Sequence, residues 1–185
     1  MTPREIITRV AAALERERVP YMLTGALASI PYGITRTTKD MDVVVALSSD
    51  AIGDLVKRLG PEFRLEPQVQ FESVTGTTYF RIRPERSRFY VEVFLVSADE
   101  FDQERFQRRT RVSVFGNPIS VATPEDVVIQ KLRWWKLAAR PKDHADAAEV
   151  VSVLAKELDW DYIRRWCTVH GTLDEAERLR AAAPP

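Results

Sequence analysis

An α+β domain is the fold class this sequence predicts, with helices packed on a mixed sheet and a helical bundle at the C-terminal end. Three observations predict it. Strand, helix, strand and helix patterns succeed one another between Tyr21 and Leu59, a period of two takes over from Phe63 to Val96, and from Thr123 onward every patterned stretch is helical. The expected division is an α/β core over residues 1–122 and a helical region over 123–185 packed on it.

The first element is a helix that starts at Thr2-Pro3-Arg4-Glu5, a cap, a first-turn proline and a capping-box glutamate. Its apolar stripe is Ile6, Ile7, Val10 and Leu14, and it should run to about Arg18. Tyr21, Met22 and Leu23 then read as a buried strand that stops at Thr24-Gly25. Ala26, Leu27, Ala28 and Ile30 continue at helical spacing until Pro31 and Gly33 interrupt them. A strand feeding a helix through glycine lets a ligand approach the main chain, with the helix N–H groups pointing at an anion such as phosphate.

Lys39-Asp40-Met41-Asp42 runs directly into Val43-Val44-Val45. Residues two apart in a strand share a face, so Asp40 and Asp42 project together. Paired carboxylates repel and need a proton or a cation, and hard oxygen ligands of this kind suit Mg²⁺ when it also binds substrate phosphates. The other reading of the same pattern is a charged strand entrance at a solvated edge.

Ser48-Ser49-Asp50 is expected to cap a helix bearing Ile52, Leu55, Val56 and Leu59, closed by Gly60-Pro61. Thr77 to Arg83 and Phe89 to Val96 read as an antiparallel pair joined by Pro84 to Ser87. The second of these, FYVEVFLV, reads as central and buried on both faces, so Glu92 in its middle requires a cation, a metal or a proton. Arg105, Arg108, Arg109 and Arg111 lie among Asp99, Glu100, Asp102 and Glu104, which favours a solvated helix face over a basic patch. Arg111 to Phe115 and Pro118 to Val121 should form a hairpin through Gly116-Asn117.

Thr123-Pro124 opens a helix to about Ala139 that carries Lys131. A second runs from the Arg140-Pro141 break to Leu158, and Asp159 to Val169 and Leu173 to Leu179 complete the bundle. Asp143 and Asp146 are placed either to complement a helix start or to serve a site, and Trp134, Trp135, Trp160 and Trp166 read as core. His144 and His170 are isolated.

Composition narrows the function. With 27 basic and 27 acidic residues among 185 there is no global field toward nucleic acid or an anionic membrane. One cysteine, Cys167, allows no intrachain disulfide, and no cysteine or histidine cluster supports zinc. No apolar run approaches the length of a membrane span, so a soluble protein is expected, and the cysteine usage makes a reducing cytoplasm the expected compartment.

Gly25-Ala26, Arg36-x-Thr38-x-Asp40-x-Asp42 and the later Glu92 together resemble the nucleotidyltransferase superfamily typified by DNA polymerase beta and its minimal bacterial members. Thr123 to Asp126, Lys131, Arg140 and Lys142-Asp143-x-x-Asp146 look like the helical half of the abortive-infection type nucleotidyltransferase toxins. The resemblance spans roughly residues 20–155.

It implies a nucleotidyltransferase fold and two Mg²⁺ ions on Asp40, Asp42 and Glu92, with Glu92 alternatively a general base. It implies a nucleoside triphosphate held by Thr24, Gly25 and Ala26, pyrophosphate charge met by Lys131 or Arg36, and Asp143 and Asp146 orienting Lys131 or the nucleotide. Ala26 stands where the family carries serine or glycine, so only main-chain N–H groups and Thr24 remain to bind phosphate. The implied acceptor is a hydroxyl of RNA such as tRNA, of a protein or of a small molecule, and the implied partner a cognate toxin or antitoxin. A non-catalytic binding module on the same fold is the alternative.

Overall fold

The computed structural model describes residues 1–34 and 38–184. The first helix, α1 (Pro3–Arg16), opens with the expected reciprocal cap. Thr2 Oγ1 accepts from the Glu5 N–H at 3.3 Å, and Glu5 Oε2 accepts from the Thr2 N–H at 2.7 Å. It ends two residues before the expected Arg18, which itself has left-handed geometry (φ 54°).

Strand β1 (Tyr21–Thr24) leads into a 3₁₀ helix over Gly25–Tyr32, where the sequence pattern predicts an ordinary helix. Pro31 has no N–H to extend an α-helical ladder, and Gly33 (φ 83°) ends the segment. Next come β2 (Asp40–Val45), a 3₁₀ turn over Ser49–Ala51 and α2 (Ile52–Leu59). Ser48 makes no side-chain cap there, so the expected Ser48 to Asp50 cap is replaced by the 3₁₀ turn.

The middle of the chain supplies β3 (Phe63–Leu65), β4 (Gln70–Glu72), β5 (Thr77–Pro84), β6 (Tyr90–Leu95), α3 (Glu100–Arg108), β7 (Thr110–Val114) and β8 (Asn117–Val121). The β7–β8 turn sits on Phe115 and Gly116, one residue earlier than expected. Both have positive φ, 53° and 81°, as a tight hairpin turn whose twist matches its strands requires. Four helices follow: α4 (Pro124–Ala138), α5 (Pro141–Leu154), α6 (Trp160–His170) and α7 (Leu173–Ala182). No helix among the described residues is long and apolar enough to cross a membrane.

The strands form one mixed sheet in the order β3-β5-β6-β2-β1-β8-β7, with β4 sharing the outer edge of β5. The β2–β6 and β1–β8 pairs are parallel and the others antiparallel. Ile6, Val10 and Leu14 of α1 and Ile52 and Leu59 of α2 cover one face through Leu23, Met41, Val43, Val91 and Val93. The other face carries Met22 and Val44 against the helices from Phe101 onward. Alternating side chains thus anchor the same strands in two cores.

Strand β6 corrects one expectation. It is central, yet only Val91 and Val93 are fully buried, while Tyr90, Glu92 and Phe94 keep some exposure on the opposite face. The helices leave that part of the sheet open. The arginines around α3 correct a second, because Arg105 is buried, with Nε donating to Asp102 Oδ1 at 2.7 Å, and Arg108 lies over the Tyr162 ring at 3.7 Å. A buried arginine must bring its counter-ion with it, and the interleaved Asp102 is that ion. Of the tryptophans, Trp160 and Trp166 are core, whereas Trp134 faces the opening over the sheet. His144 and His170 have neighbours after all, Glu175 at 2.6 Å and the rings of Phe101 and Trp166 respectively.

Candidate active site

Strand register builds the site. Arg81 pairs across with Glu92, Glu92 with Asp42, and Asp42 with Thr24, so four polar residues of β5, β6, β2 and β1 stand in one row across the sheet. Asp40 lies two residues from Asp42 on the same face, beside Tyr90. Asp40, Asp42 and Glu92 line one cleft of about 160 Å³, closed from above by Lys131, Lys142 and Asp146. The carboxylates that the sequence separates by some fifty residues are therefore brought together.

Each acid is held differently. Asp40 accepts from Thr38 Oγ1 at 2.5 Å and from the Tyr90 hydroxyl at 3.1 Å. Burial, then the charges of Asp40 and Glu92, push the Tyr90 hydroxyl up to about 12, so it stays a neutral donor. Glu92 Oε1 receives both Nη2 (2.6 Å) and Nε (3.2 Å) of Arg81. Asp42 accepts no hydrogen bond among the described residues. Burial, then the charges of Asp40 and Glu92, push it up to about 7, against the smaller pull of Lys131 and Lys142.

The glycine turn plays a part that the sequence did not disclose. A Cβ on Gly25 would lie 2.0 Å from Asp42 Oδ2, and the residue has φ 65°. Gly25 therefore makes room for the site's own carboxylate. Replacing it with alanine should destabilise the fold by about 2 kcal/mol and displace Asp42. Urea unfolding of Gly25→Ala checks this, and a cost below about 0.5 kcal/mol would show that the strand end yields freely.

Ala26 lines the cleft, but Thr24 does not. Its hydroxyl is buried and accepts from Arg105 Nη1 at 3.5 Å. Arg36 lies outside the described residues.

Lys131, buried in α4, donates to Asp143 Oδ1 at 2.7 Å and pairs with Asp146 Oδ2 at 2.8 Å. Burial holds the Lys131 amine below the ordinary lysine range, opposed by the Asp143 hydrogen bond and the Asp143 charge. Asp143 is fully buried and also meets Arg140 Nε at 2.9 Å, whereas Asp146 lines the cleft. Lys142 is exposed at the mouth.

Site neighbours that the sequence did not single out are Arg81, Tyr90, Tyr79 and Phe94, while Lys142 figured only in the motif of the resemblance and Trp134 only as core. Tyr79 and Phe94 stack at 4.7 Å in the cleft wall. The signal for Arg81 and Tyr79 was their period-two spacing on the partner of the Glu92 strand.

The acids suit a hard divalent cation in donor chemistry, and Asp42 crowds its neighbours as such a site would. No three acidic, histidine or cysteine side chains among the described residues converge closely enough to hold a metal, and Glu92 is engaged by Arg81.

A family model described as "Nucleotidyltransferase of unknown function (DUF6036)" matches residues 5–182. The chain belongs to this nucleotidyltransferase family. No curated protein matches it in sequence.

Solved structures show the same nucleotidyltransferase fold. ANT(2″)-Ia in complex with adenylyl-2″-tobramycin is 17% identical, with 96% of this chain and 94% of that one covered and a TM-score of 0.56. The lincosamide antibiotic adenylyltransferase LnuA, lincomycin-bound, is 13% identical over 83% of this chain and 98% of that one, also at 0.56. An antigenic nucleotidyltransferase-like protein from Paracoccidioides brasiliensis is 14% identical, with 97% and 92% covered and a TM-score of 0.56.

Proposed function

We propose that this nucleotidyltransferase-family chain moves a nucleoside monophosphate from a nucleoside triphosphate to an acceptor hydroxyl, with Mg²⁺ bound by Asp40, Asp42 and Glu92. The observation that carries the reading is the register row that crowds Asp42 against Glu92 and Asp40 beneath Lys131 and Lys142. Two ions held there would neutralise the triphosphate and acidify the acceptor hydroxyl.

The chain's own side chains do the rest. Lys142 at the mouth, with Lys131 behind it, faces the phosphates and meets charge on the departing pyrophosphate, while the N–H groups from Gly25 onward offer further donors. The acceptor oxygen bonds to the α-phosphorus as the bond to the bridging oxygen breaks. The acceptor's proton passes to the Glu92 carboxylate where that residue serves as general base in place of cation ligand. Asp143 and Asp146 orient Lys131. In this reading the helical region from 123 closes a core of residues 1–122, and the protein works in the cytoplasm, with a toxin or antitoxin as its cognate partner.

The acceptors to test are tRNA, lysate protein and small polyhydroxyl compounds, including the tobramycin and lincomycin named for ANT(2″)-Ia and LnuA. Each of ATP, CTP, GTP and UTP, α-labelled, is incubated with Mg²⁺ and an acceptor. Label transfer with pyrophosphate release is expected from wild type and at least about a hundredfold less from Asp40→Asn. Release with none of the four nucleotides would end the reading.

A second reading, a nucleotide-binding module without turnover, is favoured by the Arg81–Glu92 ion pair, which neutralises the third acid. Nucleotide heats in calorimetry without pyrophosphate release would select it.

A further inference from the structure

We infer that Arg81 is a positioning residue that competes with a divalent cation for Glu92, withholding the third carboxylate until a cation draws it away and Glu66 takes over the arginine. The inference rests on the reading of Asp40, Asp42 and Glu92 as cation ligands.

Four observations carry it. By register Glu92 stands directly beside Asp42, within one strand spacing, yet the three acids do not converge among the described residues. On the other side of Glu92, two nitrogens of Arg81 converge on Oε1 at 2.6 and 3.2 Å. The receiving group is already in place, because Glu66 Oε2 lies 3.6 Å from Arg81 Nη1. Finally, the Arg81 guanidinium lies over the Tyr90 ring at 4.7 Å, and the same tyrosine donates to Asp40.

Arg81 thus touches two of the three acids, one directly and one through Tyr90, without lining the cleft itself. Its side chain and that of Glu92 are 25% and 14% exposed, so solvent weakens the pair less than it would at the open surface. A cation that takes Glu92 must overcome this pair. The cost is reduced as the existing contact between Arg81 and Glu66, which Glu66 shares with Arg83, closes in. Only the ion pairs exchange, and no covalent bond changes.

The test measures Mn²⁺ binding without nucleotide, by the loss of the free-ion electron paramagnetic resonance signal. It compares wild type with Arg81→Gln, Arg81→Lys and Glu66→Gln. Removing a unit positive charge within about 4 Å of a ligand should tighten Mn²⁺ about tenfold or more in Arg81→Gln. Arg81→Lys, which keeps the charge but loses the fork, should fall between that variant and wild type. Glu66→Gln, which removes the receiver, should weaken the ion.

Arg81→Gln with a wild-type melting curve and unchanged or weaker Mn²⁺ binding overturns the inference while leaving the cation site standing. Mn²⁺ bound by neither wild type nor Arg81→Gln, or bound equally by wild type and Asp40→Asn, overturns the cation-site reading and the inference with it. Because Arg81→Lys preserves the charge, a folding defect confined to Arg81→Gln does not remove the comparison.

Discussion

Asp42→Asn should lose nucleotidyl transfer and, in the metal-free protein at pH 8, gain stability. Burial and the neighbouring charges of Asp40 and Glu92 push the Asp42 carboxyl from 3.8 up to about 7. Between those pH values the folded chain binds more protons at this position than the unfolded chain. Wild-type stability therefore falls as pH rises through the window and levels off above it. Asparagine carries no charge to repel. The gain should be near zero at pH 4 and about 2–4 kcal/mol at pH 8. Thermal unfolding in chelator at pH 4, 6 and 8 measures it. A variant that is less stable than wild type at pH 8 would show that Asp42 has a favourable partner in the fold.

Lys131→Met should cost about 3–5 kcal/mol, the penalty for leaving a buried carboxylate without its cation. Lys131 bridges Asp143 and Asp146 at 2.7 and 2.8 Å, and Asp143 is fully buried. Arg140 remains on Asp143 at 2.9 Å but is half exposed, so it compensates only in part. Urea unfolding gives the cost, and the double variant Lys131→Met with Asp143→Leu should recover most of it, since the stranded charge goes too. A single variant within about 0.5 kcal/mol of wild type would mean that the stranded Asp143 charge reaches water or another cation. Lys131 thus builds the wall of the cleft as well as charging it.

The sequence was most informative where a short-range rule decides the outcome. The Thr2–Glu5 cap, the strand carrying Asp40 and Asp42 and the paired strand carrying Glu92 follow from spacings of two or three residues. Register is not such a rule. Nothing local places Thr24 beside Asp42, and the expected pairing of 77–83 with 89–96 leaves open the register that sets Arg81 beside Glu92.

The same limit hid the true demand on Gly25, which comes from a side chain seventeen residues later. It also hid the burial of Arg105, whose charge made a solvated face the sounder expectation. FYVEVFLV looks the same whether both of its faces are covered or one is left open, and only the arrangement of the helices decides.

Arg133 fastens the rim of the cleft to the helix behind it. Its guanidinium donates to both oxygens of Asp99, at 3.0 and 2.8 Å, and to the Val74 carbonyl at 3.1 Å. Glu72 grips the same bend through the Val74 and Thr75 N–H groups, at 2.7 and 2.8 Å. Widening this entrance would therefore carry the edge strand and the start of the helix at Glu100 together, with Arg133 acting as a tie-rod between them.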